Sequence, residues 1–181
     1  MNKYRYIILL LVSLIPVIGS SSVSPDTLVL PSELFGTKEG LSQGFVLSII
    51  QDREGYMWFT SKDGLNRWDG YHMVVFRNIP NDSLSLQDNN VTSLIEDDLG
   101  RFWVGTATKG VFLFDKKTNR FYPFCNQNTK EASIAKLQYR NNKLLVIAHE
   151  NAILLDVSGI KAGDFNQNNL ANYKQLLNAN Q

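Results

Sequence analysis

The chain has 181 residues, 44% of them hydrophobic and 11% aromatic, which is enough to bury the core of one ordinary domain but hardly of two. Its 18 basic and 17 acidic residues nearly cancel, and long blocks of like charge are absent, so no direct contact with nucleic acid is expected. Cys125 is the single cysteine, which excludes an intrachain disulfide, a CxxC redox pair and a cysteine-based zinc site. We expect neither a metal nor a cofactor.

The N-terminus is predicted to be a secretory signal peptide over residues 1–22. Lys3 and Arg5 precede an apolar run at residues 7–18, and a glycine and three serines follow it. This order is typical of a signal peptide, and the run is shorter than the roughly 20 apolar residues of a membrane helix. A buried N-terminal helix is the alternative, which the proline in the run and its polar exit fit poorly. The mature chain is expected outside the cytoplasm, beginning with an extended lead-in at residues 23–40.

An internal repeat follows the lead-in. An offset of 45 residues brings six identities together within residues 46–62, where average composition gives roughly one. The identical pairs are Val46 and Val91, Ser48 and Ser93, Ile50 and Ile95, Asp52 and Asp97, Gly55 and Gly100, and Trp58 and Trp103. A period near 45 residues is the length of one blade of a β-propeller.

Each copy is predicted to form four short antiparallel strands joined by turns rich in aspartate and glycine. The first copy occupies residues 41–88 with its connecting loop, and the second occupies residues 89–128. The predicted strands are 46–51, 56–61, 65–68 and 72–77 in the first copy, and 91–96, 101–106, 111–114 and 120–124 in the second. Both copies are therefore expected to be four-stranded meanders.

A degenerate third copy is predicted at residues 129–163, with strands at 134–139, 144–148 and 152–155. It has neither the tryptophan nor the turn glycine of the other copies. The rest of the chain, residues 164–181, is a tail in which half the residues are Asn or Gln. The predicted fold is all-β, an incomplete propeller of two clear blades and a degenerate third, because closing a ring typically takes four to eight blades.

Most of the repeated residues are predicted to have structural roles. The two tryptophans are expected in the core between blades, and the aspartates are expected to accept backbone N–H groups in turns rather than to act as acid–base catalysts. We assign no catalytic residue. The structural repeat positions are Asp52, Gly55, Trp58, Gly64, Asp97, Gly100, Trp103 and Gly110.

Three neighbouring residues are candidates for ligand binding. Trp68 is replaced by Phe114 in the second copy, and an aromatic ring between Arg67 and Asp69 could stack on a sugar and form hydrogen bonds with it. The alternative is a conservative aromatic exchange in a third strand. A ligand mouth at the long polar connection of residues 78–90 is a further hypothesis.

The motifs of both copies resemble the two-component regulator propeller repeat. The resemblance is carried by the stretches GLSQGFVLSIIQDREGYMWFTSKDGLNRWDGY and NNVTSLIEDDLGRFWVGTATKGVFLFD. It implies the N-terminal part of the periplasmic sensor of a hybrid histidine kinase, which detects an oligosaccharide or another small ligand. The partners so implied are the remaining blades, a downstream kinase with its phosphorelay and DNA-binding output, and a second copy in a homodimer.

Two other functions stay open at the level of sequence. A secreted, stand-alone binding or adhesion propeller would carry the same repeats. A propeller lyase or hydrolase would most simply use His72 or His149 near a carboxylate, although neither histidine lies in a shared motif. The chain carries no kinase motif, so we do not expect it to be an enzyme.

Overall fold

The computed structural model describes residues 34–124, 132–149 and 151–160. These residues form a short 3-10 turn at Thr37–Glu39 and eleven strands. The strands are β1 Val46–Gln51, β2 Met57–Ser61, β3 Gly64–Trp68, β4 Met73–Phe76, β5 Val91–Glu96, β6 Phe102–Thr106, β7 Val111–Asp115, β8 Arg120–Pro123, β9 Ile134–Arg140, β10 Lys143–Ala148 and β11 Ala152–Asp156. The predicted signal peptide, the Asn/Gln-rich tail and Cys125 lie outside the described residues.

The strands form three antiparallel sheets, each a meander in chain order. Blade 1 consists of β1 to β4, blade 2 of β5 to β8, and blade 3 of β9 to β11. The first strands of the blades lie side by side, with β5 next to both β1 and β9. The predicted all-β fold of two four-stranded blades and a degenerate third is confirmed.

The turns between strands follow from short sequence signals. In blade 1 the amide of Gly55 donates to the carbonyl of Asp52 at 3.0 Å, and in blade 2 Gly100 donates to Asp97 at 2.9 Å. Gly55 has a φ of 92° and Gly100 a φ of 75°, conformations that glycine adopts without steric cost. The same turn therefore begins the second strand of both blades.

Each blade has two faces, and the blades stack through them. The outgoing face of a blade is the one that packs against the following blade. The incoming face is the one that packs against the preceding blade. Trp58 and Leu65 on the outgoing face of blade 1 pack against Leu94 and Phe102 on the incoming face of blade 2. We call such an interface between two blades a seam. The second seam repeats the arrangement, with Trp103, Leu113 and Phe124 of blade 2 against Leu137, Val146 and Leu155 of blade 3.

The strand registers identify equivalent positions across the blades. Trp58 pairs with Ile50 and Arg67, Trp103 with Ile95 and Leu113, and Leu145 with Gln138 and Leu154. Blade 3 therefore has a leucine where the other blades have a tryptophan. By the same registers, Arg140 stands at the position of Asp52 and Asp97.

The lead-in differs from the extended segment predicted at residues 23–40 where it is described. The carboxylate of Glu39 accepts the amide of Gly36 at 2.7 Å, and this contact closes the 3-10 turn. The lead-in then covers part of the incoming face of blade 1. The ring of Phe35 meets that of Trp68 edge-on at 5.3 Å between centroids, much as Trp58 meets the equivalent Phe114 at 5.6 Å in the next seam.

Candidate functional site

The best-defined polar feature is a buried aspartate–tryptophan unit that occurs in blades 1 and 2. One carboxylate oxygen of Asp52 accepts the amides of Glu54 and Tyr56 at 3.0 and 2.9 Å, and the other accepts the indole N–H of Trp58 at 2.9 Å. The carboxylate thus organises the turn and orients the tryptophan that fills the seam.

In blade 2 the corresponding carboxylate is Asp97. It accepts the amides of Leu99 and Arg101, both at 3.0 Å, and the indole N–H of Trp103 at 2.8 Å. Both tryptophans are fully buried. A buried carboxylate is costly unless a cation or hydrogen-bond donors compensate it, and the two blades provide the cation in different ways.

The cation of Asp52 comes from the neighbouring blade. The ammonium of Lys116, in blade 2, lies 3.2 Å from Asp52, 3.3 Å from Glu54 and 3.5 Å from Glu96. Burial raises the pKa of Asp52, but the indole of Trp58 and the ammonium of Lys116 outweigh it and hold that pKa below its ordinary value. Burial likewise lowers the pKa of Lys116, and the surrounding carboxylates more than reverse this and raise it.

The cation of Asp97 comes from its own blade. The Nε of Arg101 donates to Asp97 at 2.5 Å, and neither side chain is exposed. One terminal nitrogen of the same guanidinium donates to the carbonyls of Val157 and Ile160, so Arg101 also ties blade 2 to the chain that follows β11.

Two surface grooves of the described residues are relevant to binding. The first groove, of about 340 Å³, lies at the turns between blades 1 and 2. Its lining mixes cations and carboxylates above the buried ring of Phe114, including Arg53, Glu54, Glu96, Lys116 and Lys117. Arg53 also crosses this seam, because its amide donates to Glu96 at 2.9 Å and its guanidinium to the carbonyl of Asp98 at 2.6 Å.

The second groove, of about 310 Å³, lies between β4, β8 and the connection of residues 78–90. The connection is fixed by Asp82, which pairs with Arg120 of blade 2 at 2.5 Å, and by the fully buried Leu86. The amide of Leu84 and the guanidinium of Arg120 keep the pKa of Asp82 below its usual value despite partial desolvation. The hypothesis that this connection forms a ligand mouth remains untested.

The structure does not bring the three predicted ligand residues together. Arg67 lies on the outgoing face of blade 1, with its guanidinium carbon 5.1 Å from the ring of Tyr56 and 5.8 Å from that of Trp58. Trp68, one residue along the strand, lies on the opposite face against Phe35. These two side chains are therefore held in two different interfaces.

Asp69, the third predicted residue, caps the turn after β3. It accepts the amides of Tyr71 and His72 at 2.8 and 2.7 Å, and these contacts, the one from His72 foremost, lower its pKa. His72 is highly exposed, 3.8 Å from Asp69, and His149 lies in blade 3. Among the described residues, no group of three or more side chains is arranged to hold a metal ion.

The remaining predicted structural positions lie in the turns. Gly64 and Gly110 have φ angles of 118° and 74° and stand at the start of β3 and directly before β7. Sequence reasoning gave no role to Lys116, whose side chain is 17% exposed among three carboxylates. It also gave no role to Arg101, although an arginine stands four residues after Asp97 where the first copy has Tyr56 after Asp52.

Segments of the first two blades are similar to known proteins. Residues 40–63 and 85–108 match the sequence model described as "Two component regulator propeller". A stretch of 48 residues is 46% identical to "Histidine kinase P4" of Formosa agariphila and covers 26% of this chain and 4% of that protein.

Solved structures show the same fold. The extracellular domain of the putative hybrid two component system BT3049 of B. thetaiotaomicron aligns with a TM-score of 0.59 at 22% identity, over 70% of this chain and 19% of that one. The corresponding domain of BT4673 aligns with a TM-score of 0.55 at 16% identity, over 75% and 20%. The chain thus spans about a fifth of each solved domain and a small part of the curated relative.

These findings define the class first: the chain is an all-β protein built of propeller blades. Its first two blades contain the two segments that match the two-component regulator propeller model. Across the part of the chain that the structure describes, no helix has the length and hydropathy of a membrane span.

Proposed function

We propose that the chain is the N-terminal part of the extracytoplasmic, ligand-sensing propeller of a hybrid two-component signal transduction protein. The observation that carries the proposal is the match of two successive blades to the regulator propeller family, together with structural neighbours described as extracellular domains of hybrid two-component systems. In the complete protein, further blades, a kinase and a DNA-binding output would accompany the blades described here. The chain itself is not an enzyme, and its signal peptide directs it to the periplasm.

We assign a glycan fragment as the ligand and the first groove as its site. The groove presents ammonium and guanidinium donors and carboxylate acceptors, a combination that suits the hydroxyls of a sugar. The groove is preferred to Arg67, Trp68 and Asp69 because the first two of these side chains pack in opposite faces of blade 1.

The position of the groove supports a sensing role. Its walls come from both blades. They are joined by the Arg53 amide, which donates to Glu96, and by the Lys116 ammonium, which compensates Asp52 and also pairs with Glu54. A ligand bound there would contact both blades, so its binding energy would depend on how the seam is packed. This is the property that a sensor needs in order to convert binding into a change of blade arrangement.

The test measures binding of neutral and uronate-containing oligosaccharides to the exported chain by titration calorimetry. Lys117 is exposed and lines the first groove, whereas the exposed Lys109 lies in the β6–β7 turn at the other end of the strands. We expect Lys117→Ala to weaken binding of the responding sugar about tenfold, as the loss of one charged hydrogen bond predicts, and Lys109→Ala to leave it unchanged. Equal effects of both variants would contradict the groove assignment.

The sensing role is tested separately in the complete protein. A transcriptional reporter of its output is expected to respond to the same oligosaccharide, and the response is expected to be reduced by Lys117→Ala. If no member of a broad oligosaccharide panel activates the reporter while the protein is exported and folded, the proposal of a glycan sensor is wrong.

A further inference from the structure

The guanidinium of Arg67, in β3, packs on aromatic rings and has no hydrogen-bond acceptor. Its central carbon lies 5.1, 5.8 and 5.9 Å from the ring centroids of Tyr56, Trp58 and Phe76. Within the described part of the chain, none of its nitrogens donates to a carboxylate or a carbonyl. Asp69 attracts this charge electrostatically but does not pair with it. Three rings thus hold a cation that has no anion in contact with it.

The other arginines of the described residues are paired or exposed. Arg140 is exposed on blade 3. The remaining four guanidinium groups each donate to a carboxylate or a backbone carbonyl, and they belong to Arg53, Arg77, Arg101 and Arg120. Arg67 differs from both kinds, because it is partly buried and its charge is unpaired.

The packing of a blade does not require an arginine at this position. Leu113 is the equivalent residue of blade 2, since each of the two residues pairs with the seam tryptophan of its own blade, and Leu113 is fully buried. The Nε of Arg67 is buried without an acceptor, which is costly compared with an apolar side chain. The stability of the seam therefore gives no reason for the arginine, and this favours a role in binding.

The two terminal nitrogens of Arg67 are accessible from solvent. The buried side-chain atoms without a partner include its Nε but neither terminal nitrogen, so both of these remain exposed. The rings on which the guanidinium packs restrict its orientation, and its open edge presents two parallel N–H donors. Two such donors match the two oxygens of a carboxylate, which a single ammonium does not.

Arg67 lies beside the first groove. Tyr56, which the guanidinium contacts, follows the groove residue Glu54 in the turn between β1 and β2. Phe76, which it also contacts, meets the ring of Phe114 edge-on at 5.2 Å between centroids, and Phe114 lies beneath the groove. A ligand in the groove is therefore a neighbour of this unpaired cation.

We propose that Arg67 binds the carboxylate of an acidic sugar whose hydroxyl-bearing part occupies the first groove. The inference rests on the proposed function for the sugar and adds its chemical class, a glycan fragment that contains a uronic acid. The groove supplies donors and acceptors for hydroxyls, which every sugar has. The guanidinium supplies the one charge that distinguishes a uronate from its neutral counterpart.

The test compares a glucuronate-containing disaccharide with the same disaccharide after its carboxylate has been reduced to a primary alcohol. Binding of both to the full chain is measured by titration calorimetry, with sodium sulfate as a free anion. We expect the acidic disaccharide to bind about tenfold more tightly than the reduced one, as one charge-assisted interaction predicts. Equal affinities would overturn the inference. Sulfate binding as tight as that of the acidic disaccharide would also overturn it, because the site would then be one for a free anion.

Three variants show whether Arg67 causes the preference. Arg67→Leu introduces the residue type of blade 2 and is expected to fold and to bind both disaccharides equally. Arg67→Lys keeps the charge without the parallel donors and is expected to give an intermediate preference. Arg140→Leu is the matched control at an exposed arginine and is expected to retain the full preference. A preference that persists in Arg67→Leu would contradict the assignment.

Nuclear magnetic resonance of the unmodified chain gives a measurement that needs no variant. The acidic disaccharide is expected to shift the Nε–H resonance of Arg67, and the reduced disaccharide is expected to leave it in place. A resonance that neither disaccharide shifts would overturn the inference.

Lys117→Ala separates this inference from the groove assignment. If it weakens binding of both disaccharides while the preference for the acidic one depends on Arg67, both assignments are supported. If it has no effect and the preference still depends on Arg67, the groove assignment is wrong and the carboxylate site stands. If it weakens binding but Arg67→Leu changes nothing, the groove stands and the role of Arg67 is wrong.

Discussion

The ammonium of Lys116 in blade 2 lies 3.2 Å from the carboxylate of Asp52 in blade 1. This ion pair crosses the seam and joins residues that are 64 positions apart in the sequence. Asp97, at the equivalent position one blade later, uses Arg101 of its own blade. The same buried carboxylate is thus compensated once between blades and once within a blade, and this difference gives distinct expectations for the two seams.

Replacement of Lys116 by methionine is expected to destabilise the chain by about 2–3 kcal/mol, less than the roughly 3–5 kcal/mol for breaking a fully buried pair, because Lys116 keeps some exposure. The ordinary pKa of Asp52 is 3.8, and its folded pKa is lower, so its contribution is present above about pH 4 and is lost as the pH falls through the folded pKa. The difference in unfolding free energy between the unmodified chain and Lys116→Met, measured by urea denaturation, is therefore expected to decrease as the pH is lowered. Lys117→Met, at the exposed neighbour, serves as the control, and a loss of stability independent of pH would argue against the pairing.

Replacement of Asp97 by asparagine is expected to destabilise the chain more than the same change at Asp52. Without Asp97 the guanidinium of Arg101 stays buried with only carbonyl acceptors, at a cost of about 3–5 kcal/mol. Without Asp52, Lys116 retains Glu54 and Glu96. Equilibrium unfolding of both variants measures which one loses more stability. Equal losses of unfolding free energy would show that the two cations are equivalent.

Alanine substitutions at two glycines with positive φ distinguish the cost of backbone strain from that of a steric clash. A Cβ at Gly64 would lie 2.5 Å from the carbonyl oxygen of Phe76, whereas a Cβ at Gly55 would meet nothing within 4 Å. Gly55→Ala is expected to cost about 1–2 kcal/mol for its left-handed backbone, and Gly64→Ala clearly more. Thermal melting of both variants decides the point, and a smaller loss at Gly64 would count against the described β3–β4 packing.

Asp156, at the end of β11, is expected to titrate at about 2, because the hydroxyl and amide of Ser158 and the ammonium of Lys143 stabilise its carboxylate. With an ordinary value of 3.8, its stabilising effect is complete above about pH 4 and disappears as the pH falls towards 2. Carboxyl chemical shifts of the labelled chain measure this pKa directly. Ser158→Ala is expected to move it back towards 3.8, and an unchanged value would contradict the described turn.

Most of the fold could be predicted from the repeat, because the sequence signals that define a strand or a turn are local. The Asp-x-x-Gly turn and the tryptophan six residues after Asp52 and Asp97 recur within each copy, so the strands and their order followed from them. Lys116 and Leu86 were missed because each sits in a polar segment, and their partners belong to another part of the stack. The sequence repeat does not indicate which blade supplies the cation for each buried carboxylate.

The candidate ligand residues show the same limit. Adjacent positions of a strand point to opposite faces, so the sequence could indicate that Arg67 and Trp68 diverge, but not that each face would be covered. The coverage depends on Tyr56 and Trp58 on one side and on Phe35 on the other.

The order in which the polypeptide is synthesised affects when the Lys116 contact can form. Asp52 emerges first and has no ammonium partner until Lys116, 64 residues later, has followed. Asp97 needs only Arg101, four residues on, and can be compensated as soon as its turn has emerged. Blade 1 should therefore reach its final packing only after blade 2 has been synthesised, although it comes first in the chain.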